Sequence, residues 1–350
     1  MALRPRLASA SPLTGNRPAA FRRALLHWYD RNGRDLPWRE TRDPYCIWLS
    51  EIMLQQTRVA AVLEHYRIFL ERFPNVQALA ASSEDTVLAT WSGLGYYRRA
   101  RMLHHCAQEL VQKHDGQFPV NSEALLALPG IGRYTAAAIA SIAFGETVAV
   151  VDGNVERVLQ RLLGAELDAS QTWPHAQALL DNVRPGDFNQ AMMELGATVC
   201  APRAPRCLAC PVQKWCATGR GEVARDPGID HTPAARQSKK QIWCALDRRD
   251  GQGKSNDRGP EVRLVQRSRK ESLMPGMWEL PQTSAAPPRL SPEALWRTFR
   301  HSITVTDYTV HVLRNTELPA ARGRWISIDR LPQIPITGLT RKILKAGGII

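Results

Sequence analysis

Leu128-Pro129-Gly130-Ile131-Gly132-Arg133-Tyr134-Thr135 leads into an Ala- and Ile-rich run ending at Phe144, and Val151-Asp152-Gly153-Asn154 follows. Before the turn, Ser122 to Leu128 has helical spacing. After it, Tyr134 to Phe144 repeats small and apolar residues at three- and four-residue intervals. A Pro-Gly-x-Gly turn between two helices leaves the first N–H groups of the second helix pointing outward, which suits an anion such as a DNA phosphate. A dinucleotide fingerprint is excluded, because that motif follows a strand and this one follows a helix. A plain turn in an all-α protein is the competing reading, and Asp152 before Gly-Asn is by itself only a turn or cap residue. Together, the anion cradle and a carboxylate soon after it point to chemistry on DNA.

Working outward, 350 residues leave room for two domains with separate cores. The net charge of +13 is unevenly placed: residues 1–219 carry 23 Lys and Arg against 20 Asp and Glu, residues 220–350 carry 23 against 13. The basic excess makes nucleic acid the expected partner, with a merely solvated basic surface as the alternative. No apolar run approaches the ~20 residues of a membrane span, so no membrane partner is expected. The first 29 residues hold five Arg and no acid, with some flavour of a targeting segment. Pro5, Pro12 and Pro18 interrupt any amphipathic helix there, so residues 1–20 read as a disordered tail. Seven cysteines, four of them clustered, do not resemble a secreted disulfide framework; a reducing, cytoplasmic setting is expected, and organellar targeting by the tail stays open.

Residues 21–218 read as successive helices, among them Trp48–Phe69, Ser83–Leu88 and Arg98–Lys113. Residues 219–240 lose apolar periodicity and read as a linker. From Ile242 the texture changes to short strands at Ile242–Leu246, Val262–Arg267, Trp278–Leu280, Ile303–Leu313 and Arg324–Ile328, with a helix-like run at Pro292–Phe299 and a polar hairpin tip at Gly251–Gly259. Residues 241–350 therefore form a smaller α+β domain behind a mostly α one.

Cys200, Cys207, Cys210 and Cys216 lie within seventeen residues in one compact loop, residues 200–216. Zinc ribbons pair their ligands as two couples a dozen or more residues apart, so this spacing favours a [4Fe–4S] cluster, with zinc as the alternative. Arg203, Arg206 and Lys214 inside the loop would then face phosphate. Cys46, Cys106 and Cys244 stand alone and read as core residues. In the apolar segment Ile47–Thr57, Glu51 is the only carboxylate. A buried, unpaired carboxylate tends to stay protonated, the state a general acid needs; an Arg-paired helix Glu is the alternative. With Asp152 as a second carboxylate the pair follows glycoside-cleaving logic, an acid on the leaving group and a carboxylate beside the cationic sugar.

Taken together, Arg34-Asp-Leu-Pro-Trp38-Arg39, Ser50-Glu51 to Thr57, Gly93-Leu-Gly-Tyr-Tyr97, Leu128–Thr135, Val151–Asn154 and the four cysteines resemble the endonuclease III superfamily of helix-hairpin-helix DNA glycosylases, and within it the MutY-type adenine glycosylases. The resemblance covers residues 21 to about 345. It implies a helix-hairpin-helix glycosylase fold with a [4Fe–4S] loop, followed by a Nudix-like domain, in a monomer that acts on duplex DNA in base excision repair. Glu51 would protonate N7 of an extruded adenine and later activate water. Asp152 would stabilise the sugar, with Asn154 and Tyr134 supporting the pair. Arg34, Leu36, Trp38, Val59, Gln190 and Met193 match the family's adenine pocket; Gln190 can pair with an adenine edge. Gln55, Gln56 and Tyr96 match the wedge that fills the gap left by the flipped base, and Leu128, Gly130, Gly132 and Arg133 the hairpin that grips the backbone. Bifunctional relatives carry a nucleophilic Lys where this chain has Tyr134, and a phenol forms no imine, so a monofunctional enzyme without strong lyase activity is expected.

The Gly276-Met-Trp278-Glu-Leu-Pro281 region resembles the family's Nudix-like domain, but the magnesium-holding helix of true Nudix hydrolases is missing, so nucleotide hydrolysis is not expected. That domain would read the base opposite adenine, 8-oxoguanine or guanine, where the family uses a Phe-Ser-His loop and this chain has Phe299-Arg300-His301-Ser302. Arg has no side-chain acceptor, so Arg300 cannot receive the N7–H that marks 8-oxoguanine; Ser302 or a backbone carbonyl would have to compensate.

Overall fold

The computed structural model describes residues 17–224, 226–228, 238–250, 259–288, 290–314, 316, 318 and 323–350. Helices come first: α1 (Arg17–Asn32), α2 (Pro44–Leu54), α3 (Val59–Arg72), α4 (Val76–Ala81), α5 (Glu84–Trp91) and α6 (Arg98–His114). Then follow α7 (Ser122–Leu126), α8 (Arg133–Ala143), α9 (Gly153–Leu163), α10 (Ala169–Leu179) and α11 (Pro185–Thr198). Strands β1 (Ser238–Leu246), β2 (Arg248–Arg249), β3 (Glu261–Gln266), β4 (Trp278–Glu279), β5 (Gln282–Thr283), β6 (Leu295–Ile303), β7 (Thr306–Arg314) and β8 (Arg324–Ser327) precede a final helix, α12 (Gly338–Ala346). The packing divides the chain into two compact units, residues 1–55 with 109–231, and residues 56–108 with 232–350.

The first unit is helical. Phe21 and Leu25 of α1 pack with Val155, Leu159 and Leu162 of α9, Phe188 and Leu195 of α11, and Trp215 beyond them. Two local signals set the elements that matter for chemistry. Asp43 caps α2 by accepting from the Tyr45 N–H, with Pro44 in the first turn where a missing N–H costs nothing. Asp152 caps α9 in the same way, accepting from the amides of Asn154 and Val155.

In the second unit, α3–α5 belong with two sheets. One has the order β5-β1-β7-β6, with β1 and β7 parallel and β6–β7 an antiparallel hairpin; the other runs β2-β3-β4, with β8 also paired to β3. Val262, Leu264, Trp278, Val310 and Val312 build its core together with Leu339, Ile343 and Leu344 of α12.

Several sequence expectations change here. The helix of α1 begins at Arg17, inside the expected tail; Pro18 sits in its first turn and so interrupts nothing. Residues 1–16 lie outside the described residues. The run Trp48–Phe69 is two helices, because Gln56 adopts φ 55° and turns the chain between them. Pro292–Phe299 is not a helix: Pro292–Ala294 makes one 3-10 turn and the rest is β6, whose full-length pairing with β7 outweighs the helical preference of Ala294-Leu295-Trp296. The expected strand Ile303–Leu313 is broken at Thr304, φ 49°, where the β6–β7 hairpin turns. The linker region ends earlier than 240, since β1 starts at Ser238. The hairpin tip expected at 251–259 falls outside the described residues except for Gly259. Helix α12 was not anticipated; its signal is Thr337 as cap ahead of Leu339, Ile343 and Leu344.

Candidate active site

The buried side of the first unit holds both carboxylates. On α2, Ile47, Trp48, Leu49, Ile52 and Met53 are buried along with Ser50 and Glu51, so the helix has almost no wet face. Glu51 is 6% exposed. The Tyr134 hydroxyl, from the first turn of α8, donates to Glu51 Oε2 at 2.5 Å and lies 3.5 Å from Met193 Sδ. Burial pushes the Glu51 carboxyl up to about 7; the Asp152 charge adds to the rise, while the Tyr134 hydroxyl and Arg39 oppose it. The carboxyl is thus poised to hold or lose a proton near neutrality.

Asp152 is held differently. Its Oδ1 accepts from the Asn154 and Val155 amides at 2.9 and 2.8 Å, and Oδ2 from the Asn154 side-chain amide at 2.9 Å. Burial raises its pKa too, but these bonds and Arg157 work against the rise and favour the anion. Asn154 is anchored in turn, its Oδ1 accepting from Arg157 at 2.7 Å. Burial raises both, but Asp152 has three hydrogen-bond donors opposing the rise where Glu51 has one, a difference of the kind that acid-assisted glycosidic cleavage uses.

Leu36 and Trp38 (both buried), Gln190 (buried) and Met193 (half-buried) belong to this unit, as does Arg34. Val59 is half-buried at the start of α3 in the other unit. Arg34 is not open: its Nε and a terminal nitrogen donate to the two oxygens of Glu194 at 2.7 and 2.8 Å, and Arg39 adds a third bond at 2.7 Å. Glu194 is buried, yet these two guanidinium groups hold its carboxyl below the usual range against the opposing effect of burial. The sequence reading missed Glu194, although it is, like Glu51, a carboxylate in an apolar helical run.

The candidate DNA contacts divide by surroundings. Leu128 and Ile131 are buried and anchor the α7–α8 hairpin; Gly130 takes φ 78°, and Gly132 caps α8 with no side-chain partner for the helix amides. Arg133 stacks over Trp173, 3.8 Å from the ring centroid. Gln55 donates to Thr135 Oγ1 at 3.5 Å. In the other unit, Gln56 and Tyr96 are exposed and both left-handed, with φ 55° and 47°. Arg99 ties their neighbourhoods together, donating to Thr57 Oγ1 at 3.1 Å and to Gly95 O at 3.5 Å. Non-glycine residues hold this conformation only where the surroundings impose it, which suits side chains that protrude for a purpose.

Of the residues expected to read the opposite base, Phe299 packs in the core, Arg300 is exposed, His301 is half-buried and Ser302 donates to Asp307 at 2.6 Å. Burial first, then Lys342, lowers the His301 pKa, so its imidazole is favoured neutral. The hairpin's tip is instead Thr304-Val305, with Val305 53% exposed.

All four loop cysteines are half-buried free thiols, and Cys200, Cys210 and Cys216 pack against the α1–α9–α11 core. Arg203 and Arg206 in the loop are exposed, and Arg206 donates to Thr198 O. Arg161, 2% exposed, binds the loop's entrance through Cys200 O, Cys200 Sγ (3.4 Å) and Ala201 O, while its own carbonyl receives the Thr218 N–H at the exit. The Gly219 N–H donates to Cys216 Sγ at 3.3 Å. Such N–H···S bonds stabilise thiolate ligands. Among the described residues no three or more His, Cys, Asp or Glu side chains converge as a site for a single metal ion.

Residues 49–182 match the sequence model of the HhH-GPD superfamily base excision DNA repair proteins. The adenine DNA glycosylase of Rattus norvegicus is 44% identical over 321 residues, an alignment that takes in 77% of this chain and 61% of the relative. The chain thus spans about three fifths of that relative's length. A solved endonuclease III–DNA covalent intermediate, 22% identical with a TM-score of 0.51, covers 58% of this chain and 96% of its own, and shares the fold. A thermostable thymine-DNA glycosylase of known structure is 32% identical with a TM-score of 0.56, over 60% of this chain and 99% of that one. With this family match and a 32% identical relative covered over 99% of its length, the chain belongs to the HhH-GPD superfamily of base excision DNA repair proteins.

Proposed function

We propose that the chain is a monofunctional adenine DNA glycosylase that removes adenine mispaired with 8-oxoguanine or guanine from duplex DNA. The observation that carries the reading is the buried Glu51, its carboxyl raised to about 7 and bonded to Tyr134, beside an Asp152 that caps α9. The name of the rat relative supports adenine as the target.

In the first step the protonated Glu51 gives its proton to N7 of the extruded adenine. The N-glycosidic bond breaks, its electron pair leaves with the base, and adenine departs neutral. Asp152, ionised, faces the cationic sugar carbon. Water then adds to that carbon and returns a proton to Glu51. The product is an abasic site, and Tyr134 offers no amine for strand cleavage. Arg34, Leu36, Trp38, Gln190 and Met193 of the first unit line the adenine pocket, with Glu194 fixing Arg34. Gln55, Gln56 and Tyr96 fill the gap in the stack; the α8 N-terminus, Leu128, Gly130, Gly132 and Arg133 hold the backbone; and Arg300, His301 and Ser302 approach the opposite base. Cys200, Cys207, Cys210 and Cys216 hold a [4Fe–4S] cluster, which supplies a fixed, basic loop bearing Arg203 and Arg206 rather than a reacting group. The working form is a monomer on DNA; among the described residues no helix is long and apolar enough to cross a membrane.

Single-turnover incubation with duplexes holding adenine opposite 8-oxoguanine, guanine or cytosine tests this, each read with and without hot alkali. Alkali-dependent breaks at adenine, fastest opposite 8-oxoguanine and absent in Glu51→Gln, are expected. Similarity to a thymine-DNA glycosylase makes a thymine–guanine duplex the competing arm, and release of thymine in place of adenine would sink the target assignment.

A further inference from the structure

Residues 92–97, Ser-Gly-Leu-Gly-Tyr-Tyr, turn the chain from α5 into α6. Gly93 (φ 115°), Gly95 (φ 69°) and Tyr96 (φ 47°) all lie in the left-handed region. For a tyrosine that conformation has to be imposed. Part of the restraint is local: the Trp91 indole N–H donates to Gly95 O at 3.0 Å, and Arg99 lies 5.4 Å from the Tyr96 ring. The rest comes from far along the chain. Ser92 Oγ, buried, donates to Ile336 O at 2.9 Å across 244 residues of sequence, and the Tyr97 hydroxyl reaches the same carbonyl at 3.5 Å. The two ends of the turn are thus pinned to one acceptor. Arg341, on the first exposed-to-buried turn of α12, donates through Nε to Ser92 Oγ at 2.9 Å, which leaves Ser92 free to aim its own proton at Ile336. Ile336 itself is buried and bridged to Trp278 of β4, with Trp278 N–H donating to Pro335 O and Thr337 N–H to Trp278 O. A second tie runs from Arg101 to Pro275 O at 2.6 Å.

We infer that Ser92, Tyr97 and Arg341 form a buttress by which the C-terminal segment fixes the turn carrying Tyr96, making Ser92 and Arg341 positioning residues for extrusion of the target base. The functional half of this rests on the glycosylase reading above. Tyr96 then depends on residues 336–341 as much as on its own helices. Tyr96 is carried by the same compact unit as the β6–β7 hairpin, and a misplaced α12 weakens flipping with no change in the carboxylates.

Full-length Arg341→Met, Arg341→Lys and Ser92→Ala, all with the four cysteines intact, test it in two ways. Amide hydrogen exchange in the free protein should rise about tenfold at Leu94–Tyr97 in Arg341→Met and Ser92→Ala, the scale set by one lost buried hydrogen bond, and fall back toward wild type in Arg341→Lys. Single-turnover release should slow by a similar factor, about tenfold, for adenine paired with 8-oxoguanine. It should be unchanged for adenine opposite an abasic residue, where no pair has to be opened. Unaltered exchange at 94–97 in both variants overturns the buttress, as does an equal slowing on both duplexes. Exchange that rises over the whole chain in Arg341→Met marks general unfolding, and Ser92→Ala then decides. If the wild type releases no adenine from any duplex, the glycosylase reading falls, while the exchange measurement still tests the buttress by itself.

Discussion

Glu51 and Asp152 are both buried carboxyls, and their hydrogen bonds give them opposite characters. Glu51 has one strong donor, the Tyr134 hydroxyl; Asp152 has two amides and a carboxamide. A general acid with a pKa of about 7 gives a release rate that is full below neutrality and declines as pH rises through about 7, measured under single turnover. Tyr134 lowers that pKa, so Tyr134→Phe should move the decline to higher pH while slowing the step. An unmoved limb would remove Glu51 from the role. The same shift bears on stability. Folding raises the Glu51 pKa from 4.5, so its favourable contribution is complete below about 4.5 and is lost as pH climbs to about 7. Glu51→Gln should therefore be more stable than wild type at pH 8, by up to roughly 3 kcal/mol in urea titrations, and close to it at pH 4. Both carboxylates were legible in the sequence because each stands alone in an apolar or cap setting. Glu194 escaped notice because its partners Arg34 and Arg39 lie 160 and 155 residues away, and only the fold reveals that a paired carboxylate braces the two arginines.

Helices α8, α9 and α11 meet at places with no room for a side chain. A Cβ on Gly186 would lie 2.6 Å from Ser141 O and 2.8 Å from Ile142 Cα, both backbone; one on Gly196 would lie 2.6 Å from Asn154 Cβ. Gly186→Ala should cost roughly 1–3 kcal/mol of unfolding free energy, the usual penalty for overpacking against atoms that cannot retreat. A neutral result would mean that α8 and α11 can slide apart. The cysteine loop depends on Arg161 in a comparable way, since its bonds span both ends of the loop. Arg161→Met should purify with less iron and acid-labile sulfide than wild type, and Arg161→Lys with an intermediate amount; full occupancy in both would free the loop from this residue. Elements whose apolar spacing is strong, such as α6 and α8, could be read directly. Strand β6 could not: Ala294-Leu295-Trp296 suits a helix until β7 supplies a partner, so local preference loses to pairing. The break at Gln56 was hidden for the opposite reason, as apolar periodicity continues through it while one left-handed residue redirects the chain.

At the scale of the molecule, charge and connectivity matter most. If a chain of net charge +13 binds duplex through phosphates as proposed, it should lose at least about a hundredfold in affinity between roughly 50 and 200 mM salt, by fluorescence anisotropy on an undamaged duplex. A flat salt response would show that the basic surface is merely solvated. Composition suggests a division in chain order, helices then linker then strands, whereas packing groups the chain in another way. Residues 56–108 pack with residues 232–350, a grouping that includes hydrogen bonds such as Ser92 to Ile336 that leave no mark in hydropathy. That interleaving bears on how the protein is made. As the chain leaves the ribosome, α5 emerges before α12, and the carbonyl that receives Ser92 and Tyr97 is synthesised only 244 residues after Ser92. While the intervening chain is being made the Tyr96 turn therefore waits without its far anchor, and residues made 244 positions after Ser92 complete it.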